Sequence, residues 1–76
     1  MISEKLNYLI KSGGLSQKEV GEKFGIIPQQ MNRKVKRESF KIRELIQLAE
    51  LVGCEIHFVS KKTKETIVKL NENDLD

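Results

Sequence analysis

Apolar residues follow a helical spacing over the first two thirds of the chain and a spacing of two over the last third. Ile2, Leu6, Leu9 and Ile10 recur on one helical face and the segment halts at Gly13-Gly14, which predicts a first helix over residues 2–12. Ser16 with Glu19 three residues on has the capping-box spacing, in which each side chain satisfies a free amide of the other's backbone. Val20 and Phe24 share a face behind that cap, and Gly25 stands where a helix end favours a left-handed residue, so helix two is expected over 16–24. Pro28 suits a first helical turn, where its missing N–H has no intrahelical acceptor to lose. Met31 and Val35, four apart, give one apolar stripe to a short third helix over 28–36. Residues 42–52 carry Ile42, Leu45, Ile46, Leu48, Ala49, Leu51 and Val52, apolar around much of the circumference, which marks a central core helix ended by Gly53.

Beyond that glycine, Cys54, Ile56 and Phe58 alternate with Glu55 and His57, and Thr66, Val68 and Leu70 repeat the pattern after residues 61–64. Two such runs around a polar turn predict a hairpin. Pairing Phe58 with Val68 and Ile56 with Leu70 gathers the apolar rows on one face. That register needs an odd-numbered loop such as Lys62-Thr63-Lys64, with Lys64 in the left-handed region. The hairpin is expected to lean on helix four through Cys54, Ile56 and Phe58, with Cys54 a core residue. The expected fold class is therefore mainly α: a four-helix domain over 1–53, a C-terminal β-hairpin over 54–70, and a polar, acidic, frayed tail over 71–76.

Length and charge narrow the picture. A chain of 76 residues buries only about 60% of its unfolded surface, so its stability is marginal. Cys54 is the only cysteine and cannot form an internal disulfide; with no secretory apolar region, this points to the cytoplasm. Charged and polar residues interrupt the N-terminal apolar ones, so no membrane span is expected. The net charge of +3 is unevenly placed. Between residues 28 and 43, Arg33, Lys34, Lys36, Arg37, Lys41 and Arg43 face Glu38 alone, a local +5, whereas residues 44–58 hold Glu44, Glu50 and Glu55 with no Lys or Arg, a local −3. Concentrated positive charge is what recognition of phosphates requires.

Two short helices joined by a glycine-containing turn, the second apolar on one side and polar-basic on the other, make a helix-turn-helix. With Met31 and Val35 at the centre of the buried face, the opposite side holds Gln29 and Arg33, flanked by Lys36 and Arg37, with Gln30 and Asn32 at the sides. Amide side chains can pair bidentately with adenine and guanidinium with guanine in a major groove, while cations at the helix end meet phosphates. Gln29, Gln30, Asn32 and Arg33 are the candidate base readers, and Lys36 and Arg37 are candidate phosphate contacts.

The run LSQKEVGEKFGIIPQQMNRKVKRESFKIRELIQLAELVG resembles the phage-repressor and Cro type of helix-turn-helix regulator, the xenobiotic-response-element family. The features that carry the resemblance are Leu15-Ser16-Gln17, Glu19, Gly21, Gly25, Gln29-Gln30 and Ala49 with Gly53, within residues 2–53. It implies that Gln17 contacts a phosphate and braces the recognition helix. It also implies that Pro28, Gln29 and Arg33 face bases and that Lys36, Lys41 and Arg43 lie along the DNA backbone. Three positions depart from the pattern. Ile27 stands where a Ser or Thr cap is usual, a loss of about 0.5–2 kcal/mol at the helix start. Pro28 offers no side-chain hydrogen bond, and Lys36-Arg37-Glu38 replaces the frequent Glu-x-Gly turn.

An isolated two-stranded hairpin is seldom stable in water, and His57, Val59 and Ile67 would remain partly exposed. The expected partner for these residues is a second copy of the chain, forming a homodimer through paired strands or packed hairpins. Small Cro-like proteins often dimerise through C-terminal strands, so the resemblance points the same way. The combined expectation is a bacterial or phage transcriptional regulator that binds double-stranded DNA and acts by occupying an operator. No enzyme activity, cofactor, metal or small-molecule ligand is expected: Cys54 and His57 fall on opposite strand faces, and Glu55 does not complete a ligand set. Two other readings are an antitoxin that autoregulates its operon while the hairpin or tail binds a toxin, and a protein-interaction module that has lost DNA binding. The second leaves the +5 cluster unexplained.

Overall fold

A computed structural model describes residues 1–75. Four helices, α1 (Ile2–Ser12), α2 (Gln17–Phe24), α3 (Pro28–Arg37) and α4 (Ile42–Leu51), precede strands β1 (Ile56–Val59) and β2 (Thr66–Leu70) and a 3-10 turn, Glu72–Asp74. The fold is mainly α with a C-terminal antiparallel hairpin, as the periodicity predicts. Among the described residues, no helix is long and apolar enough to cross a membrane.

The helices are set by their ends as much as by their faces. At the start of α2, Ser16 Oγ accepts from the Glu19 N–H at 3.2 Å and Glu19 Oε1 accepts from the Ser16 N–H at 3.1 Å, the reciprocal pair that the spacing predicts. Ile27 has no acceptor to cap α3, but Gln30 Oε1 accepts from the Ile27 N–H at 3.3 Å and supplies half of a capping box. All four helices close in the same way. The N–H groups of Leu15, Ile26, Ser39 and Cys54 each reach back five residues, to the carbonyls of Ile10, Gly21, Lys34 and Ala49. The residue before each donor is left-handed: Gly14, Gly25, Glu38 and Gly53. Glu38, at φ 54°, adopts the conformation a glycine would take, so the Lys36-Arg37-Glu38 turn ends α3 without one.

Leu6, Ile10, Val20, Met31, Val35 and Leu48 form the buried cluster, bordered by Leu9, Leu15, Phe24, Ile26, Phe40, Leu45, Leu51 and Val52. Met31 and Val35 seat α3 on this core, each worth about 1.5–3 kcal/mol on burial. Two glycines permit the close approach. A Cβ on Gly21 would lie 3.3 Å from both the Ile26 carbonyl oxygen and Met31 Cβ, in keeping with the tight α2–α3 packing that a small residue there suggests. A Cβ on Gly13 would lie 2.7 Å from Val52 Cβ, so Gly13 is a packing contact for the end of α4 as well as a chain break. Phe24 and Phe40 meet edge to face, with ring centroids 6.3 Å apart.

The hairpin follows the predicted register, Ile56 opposite Leu70 and Phe58 opposite Val68, and Lys64 is left-handed at φ 66°. A bulge shifts the pairing so that Val59 faces Thr66, leaving Ile67 as the extra residue. Its relation to the helices corrects two expectations. Cys54 is exposed, because its N–H closes α4 and the strand begins only at Ile56. Nor does the hairpin rest on α4 through Phe58: Phe58, Val59, Ile67 and Val68 are 53%, 52%, 70% and 47% exposed, and of the apolar strand residues only Ile56 and Leu70 at the base are half-buried. The two strands pack chiefly on each other. The tail also differs from the frayed end expected. Asn71 Oδ1 accepts from the Asn73 N–H at 2.9 Å and starts the 3-10 turn, which packs on α4, and Leu75 is half-buried beside Phe24 and Leu51. Asp76 lies outside the described residues.

Candidate nucleic-acid interface

With Met31 and Val35 buried, the opposite side of α3 faces outward. Gln17, Lys18, Pro28, Gln29, Asn32, Arg33, Lys36 and Arg37 line one open depression formed by α3 and the first turn of α2. Four of these eight are cations, and no carboxylate is among them. The Gln17 and Lys18 N–H groups belong to the turn of α2 that has no intrahelical acceptors, which adds donors beside the cations. Lys18 escaped the sequence reading, although its place next to Gln17 at the start of α2 is the signal that would have found it.

The other predicted residues are distributed differently. Gln30 turns back to its own helix start through the Ile27 N–H and lines a neighbouring depression with Ile26, Lys34 and Ser39, which Arg33 and Arg37 separate from the first. Lys41 and Arg43 are exposed at the beginning of α4, outside the main depression. His57 and Val59 on β1 and Ile67 on β2 are exposed on the hairpin.

Two polar arrangements fix the site to its scaffold. Gln17 Nε2 donates to Asn7 Oδ1 of α1 at 2.5 Å, and Asn32 Nδ2 donates to Gln17 Oε1 at 3.2 Å, so three amides connect three helices. Asn7 was not a candidate in the sequence; a polar amide beside the buried Leu6 and Ile10 was its signal. Lys34 Nζ lies 2.8 Å from Glu44 Oε2, tying α3 to α4 and neutralising one charge of the basic cluster. The Glu44 carboxyl is held below its ordinary pKa, first by the hydrogen bond from Lys34 and then by that from the Lys41 N–H at 2.9 Å. On the hairpin, Glu55 is also lowered, first by Asn71 Nδ2 at 2.8 Å and then by His57 Nε2 at 3.3 Å. Among the described residues, no group of three or more His, Cys, Asp and Glu side chains could hold a metal ion.

Comparison of the chain with protein-family models, curated proteins and solved structures found no match.

Proposed function

We propose that the protein binds double-stranded DNA sequence-specifically, laying α3 in the major groove, and regulates transcription by occupying an operator. The observation that carries this reading is the exposed face of α3. It presents Gln29, Asn32 and Arg33 in a depression whose only charges are Lys18, Arg33, Lys36 and Arg37. A helix is about 10–12 Å across with its side chains, so a groove about 12 Å wide admits it, and the 10 residues of α3 run roughly 15 Å along that groove. Gln29, Asn32 and Arg33 read base edges. Gln17, Lys18, Lys36 and Arg37 hold the phosphates beside them, with Lys41 and Arg43 reaching farther along the backbone.

The active unit in this reading is a homodimer through the hairpin. Phe58, Val59, Ile67 and Val68 are about half exposed or more, and each strand has one unpaired edge in the two-stranded sheet. Two-fold pairing of hairpins covers these residues and sets two recognition helices on half-sites about 34–36 Å apart. The same hairpin favours one second reading, an antitoxin whose apolar strands bind a toxin. Sedimentation separates them: a dimer of the isolated chain supports the first, and a monomer at tens of micromolar supports the second.

Selection of bound duplexes from a random pool, followed by substitution, tests the division of roles. Arg33→Ala or Gln29→Ala is expected to relax preference at one base position, at a cost of about 1–3 kcal/mol there, whereas Lys36→Ala weakens binding to all sequences similarly. Equal losses on selected and random duplexes for all three variants would contradict the assignment.

A further inference from the structure

The three amides that link α1, α2 and α3 have a direction. An amide accepts through oxygen and donates through nitrogen, so a row of amides must run one way or the other. Here each nitrogen donates toward α1: Asn32 Nδ2 to Gln17 Oε1, then Gln17 Nε2 to Asn7 Oδ1. Asn7 and Gln17 are half-buried, while Asn32 is exposed in the depression on α3. Donating one N–H to Gln17 leaves Asn32 with its oxygen and one remaining N–H. An acceptor beside a donor complements adenine, which offers the N6 amine and the N7 acceptor. The reversed row would turn the Asn32 oxygen toward Gln17 and leave both N–H groups free, the complement of guanine O6 and N7.

We propose that Asn7, remote from the α2–α3 pair, is a positioning residue that sets the polarity of Asn32 and so gives adenine preference over guanine at the base pair Asn32 faces. This inference rests on the DNA-binding reading above and assigns a specificity to one position within it. Asn7 acts by accepting from Gln17; losing that acceptor frees Gln17 to turn over and Asn32 to follow. A carboxylate at this position keeps the direction, since it can only accept.

The test compares wild type, Asn7→Leu and Asn7→Asp on duplexes differing by A·T or G·C at each half-site position, with binding to random duplex as a second measurement. Asn7→Leu is expected to lower the adenine-over-guanine ratio at one position about tenfold and to leave the other positions as they were. Asn7→Asp is expected to keep the ratio, even if its added negative charge weakens binding to every duplex. In the free protein, NMR should show the Gln17 side-chain N–H signals displaced by hydrogen bonding in wild type and Asn7→Asp and relaxed in Asn7→Leu. Unchanged base ratios in a folded Asn7→Leu variant would overturn the inference while leaving DNA binding intact. So would Gln17 signals that do not respond to Asn7→Leu. Failure of the wild type to bind any duplex would instead overturn the DNA reading and this inference with it.

Discussion

The helical part and the hairpin of this small chain solve opposite problems. Over residues 2–51 a buried apolar cluster closes around Ile10, Val20, Met31, Val35 and Leu48, although Ile2, Tyr8, Ile27 and Ile42 stay exposed, and what faces outward on α3 is amide and cation. Over residues 56–70 the strands pair in register but Phe58, Val59, Ile67 and Val68 stand largely in water. Such a hairpin is marginal alone, and the contrast is the ground on which the proposed function assigns it a partner. The helical surface suits a charged, hydrated ligand, and the hairpin suits an apolar one.

Core and hairpin substitutions test this contrast most strongly. Leu48→Ala is expected to cost about 2–5 kcal/mol in denaturant unfolding, because it opens a cavity beneath three helices. That cost should not depend on protein concentration. Phe58→Ser should leave the unfolding of dilute protein nearly unchanged and remove the extra stability gained on concentrating it. A comparable loss from Phe58→Ser at high dilution would mean that the hairpin belongs to the helical core.

Gly13→Ala sharpens the helical side of the comparison. Its new Cβ would lie 2.8 Å from Val52 Cα, backbone that cannot swing aside, so a loss of about 1–3 kcal/mol is expected in the same unfolding measurement. A smaller effect belongs to Glu44, whose folded-state pKa is lowered by Lys34 and the Lys41 N–H. Its contribution is present above the unfolded carboxyl pKa and fades as pH falls through the lower folded value. At neutral pH, Glu44→Gln should therefore cost less than about 1 kcal/mol, and the difference from wild type should vanish in acid. A difference that persists unchanged at pH 2 would show that the side chain acts through packing alone.

The parts legible in the sequence were those encoded by local chemistry. The Ser16–Glu19 spacing, Pro28 and the apolar stripe at Met31 and Val35 place α2 and α3, and alternation places Phe58 opposite Val68. What escaped depended on contacts distant in sequence or on a residue type without a marker. Glu38 closes α3 in a conformation that only glycine advertises. Cys54 reads as the first residue of an alternating strand, but its backbone is committed to ending α4. The basic cluster was visible as a run, yet only the fold separates Arg33, Lys36 and Arg37 in the main depression from Lys34, which Glu44 neutralises. Gln30 shows the same limit, since an amide at the third helical position can serve its own backbone instead of a ligand.

The most direct test of the central claim is the affinity of the intact protein for mixed-sequence duplex DNA as salt is raised. If the outer face of α3 and its neighbouring cations neutralise several phosphates, affinity should fall by orders of magnitude between about 50 and 200 mM salt. No binding at the lowest salt, or binding indifferent to it, would contradict the account.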